Sequence, residues 1–374
     1  MRIAQVAPLS EAVPPRLYGG TERVVSWLTE ELVAMGHRVT LFASGDSETS
    51  ADLVPCARTG LRLAGIRDHL ASHLVMLETV RRRASEFDLI HFHVDLLPFP
   101  IFQDMAEKTV TTLHGRLDRP DFHPAYRYFP QMPLVSVSDS QREPMPDCVN
   151  WLATVHHGLP ANQQRFRAEP GEYLAFLGRI SPEKRPDRAI EIAKRAGLPL
   201  KIAAKIDHDD RAYFQEVIAP MLDHPLIEFI GEIDENGKDE FLARASALLF
   251  PIDWVEPFGL VMIEAMSAGT PVIGWPMGSV TEVITPGRSG FVVSSIEEAA
   301  AAVGAIGSLP RREVRAEFEE RFAARRMAAD YVAAYERLLT RTAPQATAPN
   351  LAPEGLAERL LPAAPLAAVA AAGA

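Results

Sequence analysis

Cysteine, aromatic residues and long apolar runs are all scarce in this chain of 374 residues. The two cysteines, Cys56 and Cys148, show no CxxC spacing and no histidine–cysteine cluster, which excludes a disulfide framework and a zinc finger. No run of about 18 apolar residues occurs, so the sequence predicts no membrane-spanning helix. The first eight residues are typical of a short strand and not of a signal peptide. We therefore expect a cytoplasmic protein.

Positive charge is also in deficit, because 38 lysines and arginines face 49 aspartates and glutamates, for a net charge of −11. This balance argues against nucleic acid as a partner and against tight docking on an anionic membrane, although a transient membrane contact through a local patch stays open. The GxGxxG fingerprint of dinucleotide-binding proteins is absent from the sequence, which disfavours NAD. His93 and Asp95 lie at metal-ligand spacing without a third ligand, so we expect no metal cofactor.

Short apolar strands alternate with amphipathic helices along most of the chain, five strands being predicted in each half. This βαβ pattern predicts an α/β fold with two Rossmann-like, doubly wound domains and ligands beyond the carboxyl ends of the strands. The predicted division is 1–160, 168–325, a helical stretch at 326–342 and an Ala/Pro-rich tail at 343–374 that we expect to be disordered.

Two glutamates bracket an apolar segment in the second half, Glu256-Pro257-Phe258-Gly259-Leu260-Val261-Met262-Ile263-Glu264. Pro257 is expected in the first turn of a helix, so that the N–H groups of Phe258, Gly259 and Leu260 are free to receive a phosphate or a sugar oxygen. Glu264 falls inside the helix, where a carboxylate needs a hydrogen-bonding partner. The roughly 12 Å between the two acids matches a nucleotide sugar, whose two sugar rings flank a diphosphate. The alternative is a helix-terminal acid and a paired core acid.

Two further segments place anion-binding groups after predicted strands. Gly178-Arg179 and Lys184 supply two cations in one loop, which suits a leaving diphosphate, the alternative being two solvated surface charges. Gly19-Gly20 precedes a helix and lets the backbone approach an anion, although paired glycines also form plain turns. His114 ends a predicted strand and is a candidate for contact with a sugar hydroxyl or the reacting centre, or else a structural histidine. His93 is interpreted as structural or acceptor-side, and His156-His157-Gly158 as a loop.

With these residues, the chain resembles the family-4 retaining glycosyltransferases of GT-B fold over roughly residues 1–340. The matching segments are Gly19-Gly20, Gly178-Arg179 with Lys184, and the two glutamates followed by Ala268-Gly269-Thr270-Pro271. The resemblance implies a UDP- or GDP-linked sugar donor bound mainly by the second domain, a hydroxyl-bearing acceptor on the first, no catalytic metal, and a terminal helix that crosses back to the first domain. A stretch before the linker departs from many relatives, which leaves the acceptor details open.

The resemblance also implies a role for each candidate. Arg179 and Lys184 would hold the diphosphate, Glu256 the hydroxyls of the donor sugar and Glu264 the ribose, while Gly20 would meet the phosphate and His114 the sugar. Glu256, His114, Arg179 and Lys184 are thus the candidate catalytic residues. The sequence alone leaves three alternatives open. A sugar-nucleotide epimerase needs no separate acceptor, and a phosphorylase depends on inorganic phosphate. A non-catalytic nucleotide-sugar-binding protein need not keep both cations and both acids.

Overall fold

The computed structural model describes residues 1–16 and 19–340, and the predicted tail at 343–374 lies outside them. The strands of the first half are β1 (Arg2–Val6), β2 (Arg38–Ser44), β3 (Asp52–Ala57), β4 (Leu89–Phe92), β5 (Thr109–Thr112), β6 (Leu134–Ser136) and β7 (Trp151–Thr154). They form one parallel sheet in the order β3-β2-β1-β4-β5-β6-β7. The order reverses between β1 and β4, which is where such sheets bind ligands.

The second half repeats this plan. Its strands are β8 (Tyr173–Arg179), β9 (Leu200–Lys205), β10 (Ile227–Gly231), β11 (Ala245–Phe250), β12 (Val272–Gly274) and β13 (Gly290–Val292). They form a parallel sheet in the order β10-β9-β8-β11-β12-β13, with the reversal between β8 and β11. The predicted α/β class with two doubly wound sheets is confirmed.

Helices pack against both sheets. The first half contributes α1 (Gly20–Ala34), α2 (Leu70–Arg82), α3 (Phe99–Phe102) and α4 (His123–Tyr128). The second contributes α5 (Pro186–Ala196), α6 (Arg211–Tyr213), α7 (Glu235–Ala243), α8 (Leu260–Ser267), α9 (Val280–Val283), α10 (Ile296–Ala305), α11 (Arg311–Arg321) and α12 (Ala324–Thr340). Among the described residues, no helix combines the length and apolar character that a membrane span requires.

The terminal helix α12 lies on the first half of the molecule. It packs against α1 and β7. Its Tyr331 and Tyr335 are fully buried, and their hydroxyls lie 3.0 Å from Oγ1 of Thr112 and 2.7 Å from Nδ1 of His91. The last described helix therefore contributes to the core beneath the first sheet's switch point.

Candidate functional site

The amino-terminal ends of α1 and α8 meet where the two halves of the molecule face each other. Gly20 begins α1 and Leu260 begins α8, and a Cβ atom on Gly20 would lie 3.7 Å from Cδ1 of Leu260. A Cβ atom on Gly19 would lie 2.8 Å from Cβ of Pro15, so that position accepts no side chain without a shift. The first amides of a helix are unpaired and carry the positive end of its dipole, so two such ends favour an anion between them.

Helix α8 begins later than the sequence predicted. Gly259 has φ 77°, a left-handed conformation that favours glycine and lies outside the helix. Pro257 therefore precedes the helix, and the free amides belong to Leu260 and Val261 instead of Phe258 and Gly259. The ring of Phe258 is buried and meets that of His157 edge to face, with ring centroids 4.9 Å apart. The prediction that Pro257 lies in the first turn was wrong because the left-handed glycine sets the helix start.

Glu256 and Lys184 form an ion pair beside this junction. Nζ of Lys184 donates to the Glu256 carboxylate, and the two side chains are 22% and 11% exposed. The ammonium group also lies 4.8 Å from the ring centroid of Trp254. The backbone carbonyl of Glu256 accepts a 3.0 Å hydrogen bond from the amide of Ser279. A mostly buried carboxylate is thus neutralised by a cation and fixed through its own backbone.

Glu264 also has a lysine partner. Nζ of Lys238 lies 2.7 Å from the Glu264 carboxylate and 2.9 Å from that of Glu235. Glu235 pairs in turn with Arg23 of α1. The side chains of Lys238 and Glu264 are 11% and 7% exposed, so this pair is shielded from solvent. A continuous row of charges therefore joins Glu264 to the first half of the molecule.

Arg179 lies among carboxylates. Its guanidinium group is 3.2 Å from Glu183, 3.5 Å from Asp207 and 3.6 Å from Asp210. Glu183 accepts a second hydrogen bond, of 3.2 Å, from Arg116 of the first half. The Arg179 side chain is 40% exposed, which leaves part of the guanidinium accessible to a ligand.

His114 lies two residues after the end of β5, and its ring stacks on that of a second histidine. The rings of His114 and His157 have centroids 5.3 Å apart and an interplanar angle of 17°. Nε2 of His114 lies 2.8 Å from Nδ1 of His93. Burial lowers the pKa of His114 to about 3, so the ring is neutral near pH 7. Its Nδ1 atom is buried and has no hydrogen-bond partner among the described residues.

Asp95 lies just beyond the carboxyl end of β4, at the same edge of the first sheet as His114. Its φ is 49°, a left-handed conformation that is uncommon for residues other than glycine and often marks a functional position. The side chain is exposed, and no ion pair or hydrogen bond of it is found among the described residues. Desolvation by the surrounding protein atoms raises the pKa of this carboxyl to about 6, although the side chain itself is accessible to solvent. Burial and, to a smaller extent, the charge of Asp95 raise the pKa of Tyr126 in α4, so Asp95 lies near that helix.

The structure brings some candidates together and separates others. Lys184 contacts Glu256, Gly20 meets Leu260, and His157 connects His114 to Phe258. Arg179 is held by acids other than Glu256. No group of three or more His, Cys, Asp or Glu side chains suited to a metal ion occurs within residues 1–16 and 19–340.

Three residues of the site were missed by sequence reasoning. Lys238 lies in a polar helix without any distinguishing pattern. Gly278, whose backbone packs against that of Glu256, is one of many glycines with a positive φ. His157 was interpreted as part of a loop, although two adjacent histidines before a glycine were a visible signal. Contact between segments far apart in the chain reveals all three.

Comparisons with known proteins match both halves of the chain. The family described as "Glycosyl transferases group 1" matches residues 161–325, and that described as "Glycosyltransferase Family 4" matches residues 18–138. The chain is 26% identical over 279 residues to the D-inositol 3-phosphate glycosyltransferase of Streptomyces avermitilis, covering 61% of this chain and 59% of that protein. It is 25% identical over 386 residues to the glycogen synthase of Mycobacterium tuberculosis, covering 88% of this chain and 91% of that enzyme.

Solved structures share the fold. A glycosyltransferase involved in avilamycin A biosynthesis superimposes with a TM-score of 0.70 at 23% identity, covering 91% of this chain and 98% of that one. HepE of Anabaena, in complex with UDP and glucose, superimposes with a TM-score of 0.67 at 16% identity, covering 90% and 99%. These two likenesses establish the GT-B fold. Because the two family matches together cover more than half of the chain, the protein belongs to the group 1 and family 4 glycosyltransferases.

Proposed function

We propose that the protein transfers a hexose from a UDP- or GDP-linked donor to a hydroxyl-bearing acceptor, with retention of the anomeric configuration. The observation that carries this proposal is the junction of two helix amino termini at Gly20 and Leu260, flanked by the ion pair of Lys184 and Glu256. A diphosphate suits the helix ends, and its departing charge suits the adjacent cation. The binding of UDP by the fold relative HepE supports a nucleotide donor.

The proposed division of labour follows from the charges. Lys184 and Arg179 would take up negative charge on the leaving diphosphate, together with the first amides of α8. Arg179 would do so by exchanging contacts with Glu183, Asp207 or Asp210, since its guanidinium is partly exposed. We propose that these cations supply the charge for which other enzymes use a metal ion.

The two acids would hold the two ends of the donor. Glu256 would accept hydrogen bonds from hydroxyl groups of the transferred sugar, and Glu264 from the ribose. Each is paired with a lysine here, which compensates the charge of a shielded carboxylate, and carboxylate oxygens accept hydrogen bonds. His114 would contact the sugar from the first half of the molecule.

The sugar is proposed to pass through an oxocarbenium-like state. The acceptor oxygen would attack on the face from which the diphosphate leaves, and a phosphate oxygen of the leaving group would take the proton of the acceptor. The acceptor would lie in the first half near Asp95 and α4.

The two free cysteines, Cys56 and Cys148, agree with the reducing cytoplasm that we propose as the location of the protein.

The test is a donor screen. Purified protein is incubated with UDP-, GDP- and ADP-linked hexoses, and release of the nucleoside diphosphate is measured, since slow hydrolysis needs no acceptor. We expect one donor to be cleaved, the released sugar to keep its anomeric configuration by NMR, and Glu256→Gln to lower the rate about 100-fold or more. Cleavage of no donor, or wild-type cleavage by Glu256→Gln, would overturn the proposal.

A further inference from the structure

A row of buried hydrogen bonds leads from helix α12 to His114. Oε1 of Gln5 lies 2.8 Å from Nε2 of His93, and Nδ1 of His93 lies 2.8 Å from Nε2 of His114. On its other side the amide nitrogen of Gln5 lies 3.4 Å from the hydroxyl of Tyr335. Gln5 and Tyr335 are fully buried and His93 nearly so. An unpaired hydrogen-bond donor or acceptor among them would therefore be energetically costly.

The protonation of this row follows from its chemistry. Burial and the neighbouring imidazoles hold the pKa of His93 well below its usual range, so its ring is neutral and carries one proton. The carbonyl oxygen of Gln5 can only accept a hydrogen bond, so that proton lies on Nε2 of His93. Nδ1 of His93 then accepts, and His114 must donate to it from Nε2. Because His114 is also neutral, its Nδ1 atom carries a lone pair.

The hydroxyl of Tyr335 fixes the orientation of Gln5. Burial raises the pKa of Tyr335 well above its usual range, so the phenol stays protonated. It lies 2.7 Å from Nδ1 of His91, and the amide nitrogen of Gln5 approaches the same Nδ1 at 3.4 Å. We therefore assign Nδ1 of His91 as an acceptor and the phenol as the donor of the shorter hydrogen bond. The oxygen then accepts from the amide nitrogen of Gln5, and this turns the carbonyl of Gln5 toward His93.

The unpaired atom of His114 agrees with this assignment. Nδ1 of His114 is buried and has no partner among the described residues. An unpaired buried acceptor is met more often in proteins than an unpaired buried N–H group, since orphaned N–H groups are rare. A buried acceptor without a partner is completed by a ligand that donates a hydrogen bond, such as a hydroxyl group.

We propose that Gln5 and His93 are positioning residues that fix His114 in one neutral tautomer, so that its Nδ1 lone pair accepts a hydrogen bond from a hydroxyl group of the donor sugar. This inference rests on the proposed function for the identity of the ligand. Gln5 and His93 act through His114 and do not touch the sugar. Tyr335 of α12 completes the row, so the terminal helix serves the site as well as the core.

The first measurement needs no substrate. Side-chain ¹⁵N NMR of the full-length protein, with His114→Gln used to assign the His114 signals, reports which ring nitrogen carries the proton. We expect an unprotonated Nδ1 and a protonated Nε2 for His114. A protonated Nδ1 would overturn the inference, whether or not the protein proves to be a glycosyltransferase.

Substitutions of Gln5 give the second measurement. Gln5→Leu removes the acceptor for His93, whereas Gln5→Glu keeps an oxygen facing it whether or not the carboxyl is protonated. We expect Gln5→Leu to mix the two His114 tautomers and to lower kcat for donor cleavage about 10- to 100-fold, by analogy with the loss of the hydrogen-bond partners that orient metal-binding histidines. Nucleoside diphosphate binding should stay unchanged, since His114 is assigned to the sugar.

Two controls separate this role from a structural one. Gln5→Glu should restore both the tautomer and most of the rate. Thr111→Val alters a buried hydroxyl of the adjoining strand that has no hydrogen-bond partner among the described residues, and should leave both readouts unchanged. A folded Gln5→Leu protein with a single His114 tautomer and wild-type kcat would contradict the inference. If Gln5→Leu does not fold, Gln5→Glu provides the test. An altered His114 tautomer in Gln5→Glu together with an unchanged kcat would contradict the inference.

Discussion

Gly278 has no functional group, yet its backbone packs directly against that of Glu256. Its φ is 59°, and an added Cβ atom would overlap the backbone nitrogen and carbonyl oxygen of Glu256. The next residue, Ser279, donates its amide to the same carbonyl. The position of a proposed catalytic carboxylate is therefore set by a glycine from another segment.

Gly278→Ala is expected to lower both stability and transfer. The left-handed conformation costs alanine about 1–2 kcal/mol, and the overlap with Glu256 adds about 1–3 kcal/mol. Gly287→Ala is the matched control, because Gly287 has φ 77° and no atom lies within 4 Å of its added Cβ. Urea unfolding and donor cleavage should both be affected in Gly278→Ala, and stability alone in Gly287→Ala. Equal losses of cleavage in the two variants would contradict this account.

Asp95 gives a prediction about pH. Its pKa is raised from an ordinary 3.8 to about 6 by desolvation, so the folded protein holds this proton more tightly than the unfolded chain does. Its contribution to the free energy of unfolding is therefore most favourable below about pH 4 and falls as the pH rises to about 6. Because the side chain is exposed, solvent screening keeps the effect small. Asp95→Asn should slightly stabilise the protein near pH 8 and change little near pH 4, by urea unfolding at both values.

The control for Asp95 has the opposite sign. Hydrogen bonds from Arg2 lower the pKa of Asp88, so Asp88→Asn should slightly destabilise the protein near pH 8. If Asp95→Asn is also destabilising there, the carboxyl has a partner or a lower pKa than the structure gives it.

At the scale of elements, α7 and α8 are joined by the shielded pair of Lys238 and Glu264. Removing one member of a buried pair leaves an uncompensated charge, at a cost of about 3–5 kcal/mol. Lys238→Met should therefore be strongly destabilising in urea unfolding, and adding Glu264→Gln should recover much of the loss. Lys194→Met, which breaks a more solvent-accessible pair with Glu191, should cost less than about 1 kcal/mol. Additive effects in the double variant would contradict the pairing.

The elements also show where the sequence was sufficient. The bounds of helix α5 can be predicted from the sequence, because Pro186 favours a helix start and Gly197, with φ 67°, ends the helix. Of the seven and six strands observed in the two halves, five in each were predicted, and the three that were not, β3, β7 and β13, all lie at sheet edges. Edge strands pair on one side only; β3 is partly exposed and contains Pro55, so it lacks the apolar run of an inner strand. A continuous apolar run marks a strand clearly only where both of its faces are buried.

The candidate site was predictable in its ligand groups and not in its pairings. Acids, cations and glycines after strands were visible in the sequence, since parallel strands direct their carboxyl ends to one edge. Lys184 pairs with Glu256 across 72 positions of the sequence. His157 stacks on His114 across 43 positions. No local pattern encodes such contacts.

At the scale of the molecule, hydrogen bonds join the two halves around the site. The carboxylate of Glu282 accepts 2.8 Å hydrogen bonds from the amides of Asp139 and Ser140 and lies 3.0 Å from His156. The hydroxyl of Ser138 donates to the carbonyl of Pro257 at 2.7 Å. The halves thus meet at the segment that precedes α8, so binding there is expected to stabilise the whole molecule.

Nucleotide binding tests the central claim most directly. Since a ligand that binds only the folded state raises the melting temperature, we expect UDP or GDP to do so in the wild type and less in Arg179→Ala. Arg244→Ala is the matched control, because Arg244 is an exposed arginine held by Glu172 and Glu240 away from the site. It should retain the full shift. No shift with either nucleotide, or an equal shift in Arg179→Ala and the wild type, would contradict the assignment of the diphosphate to this junction.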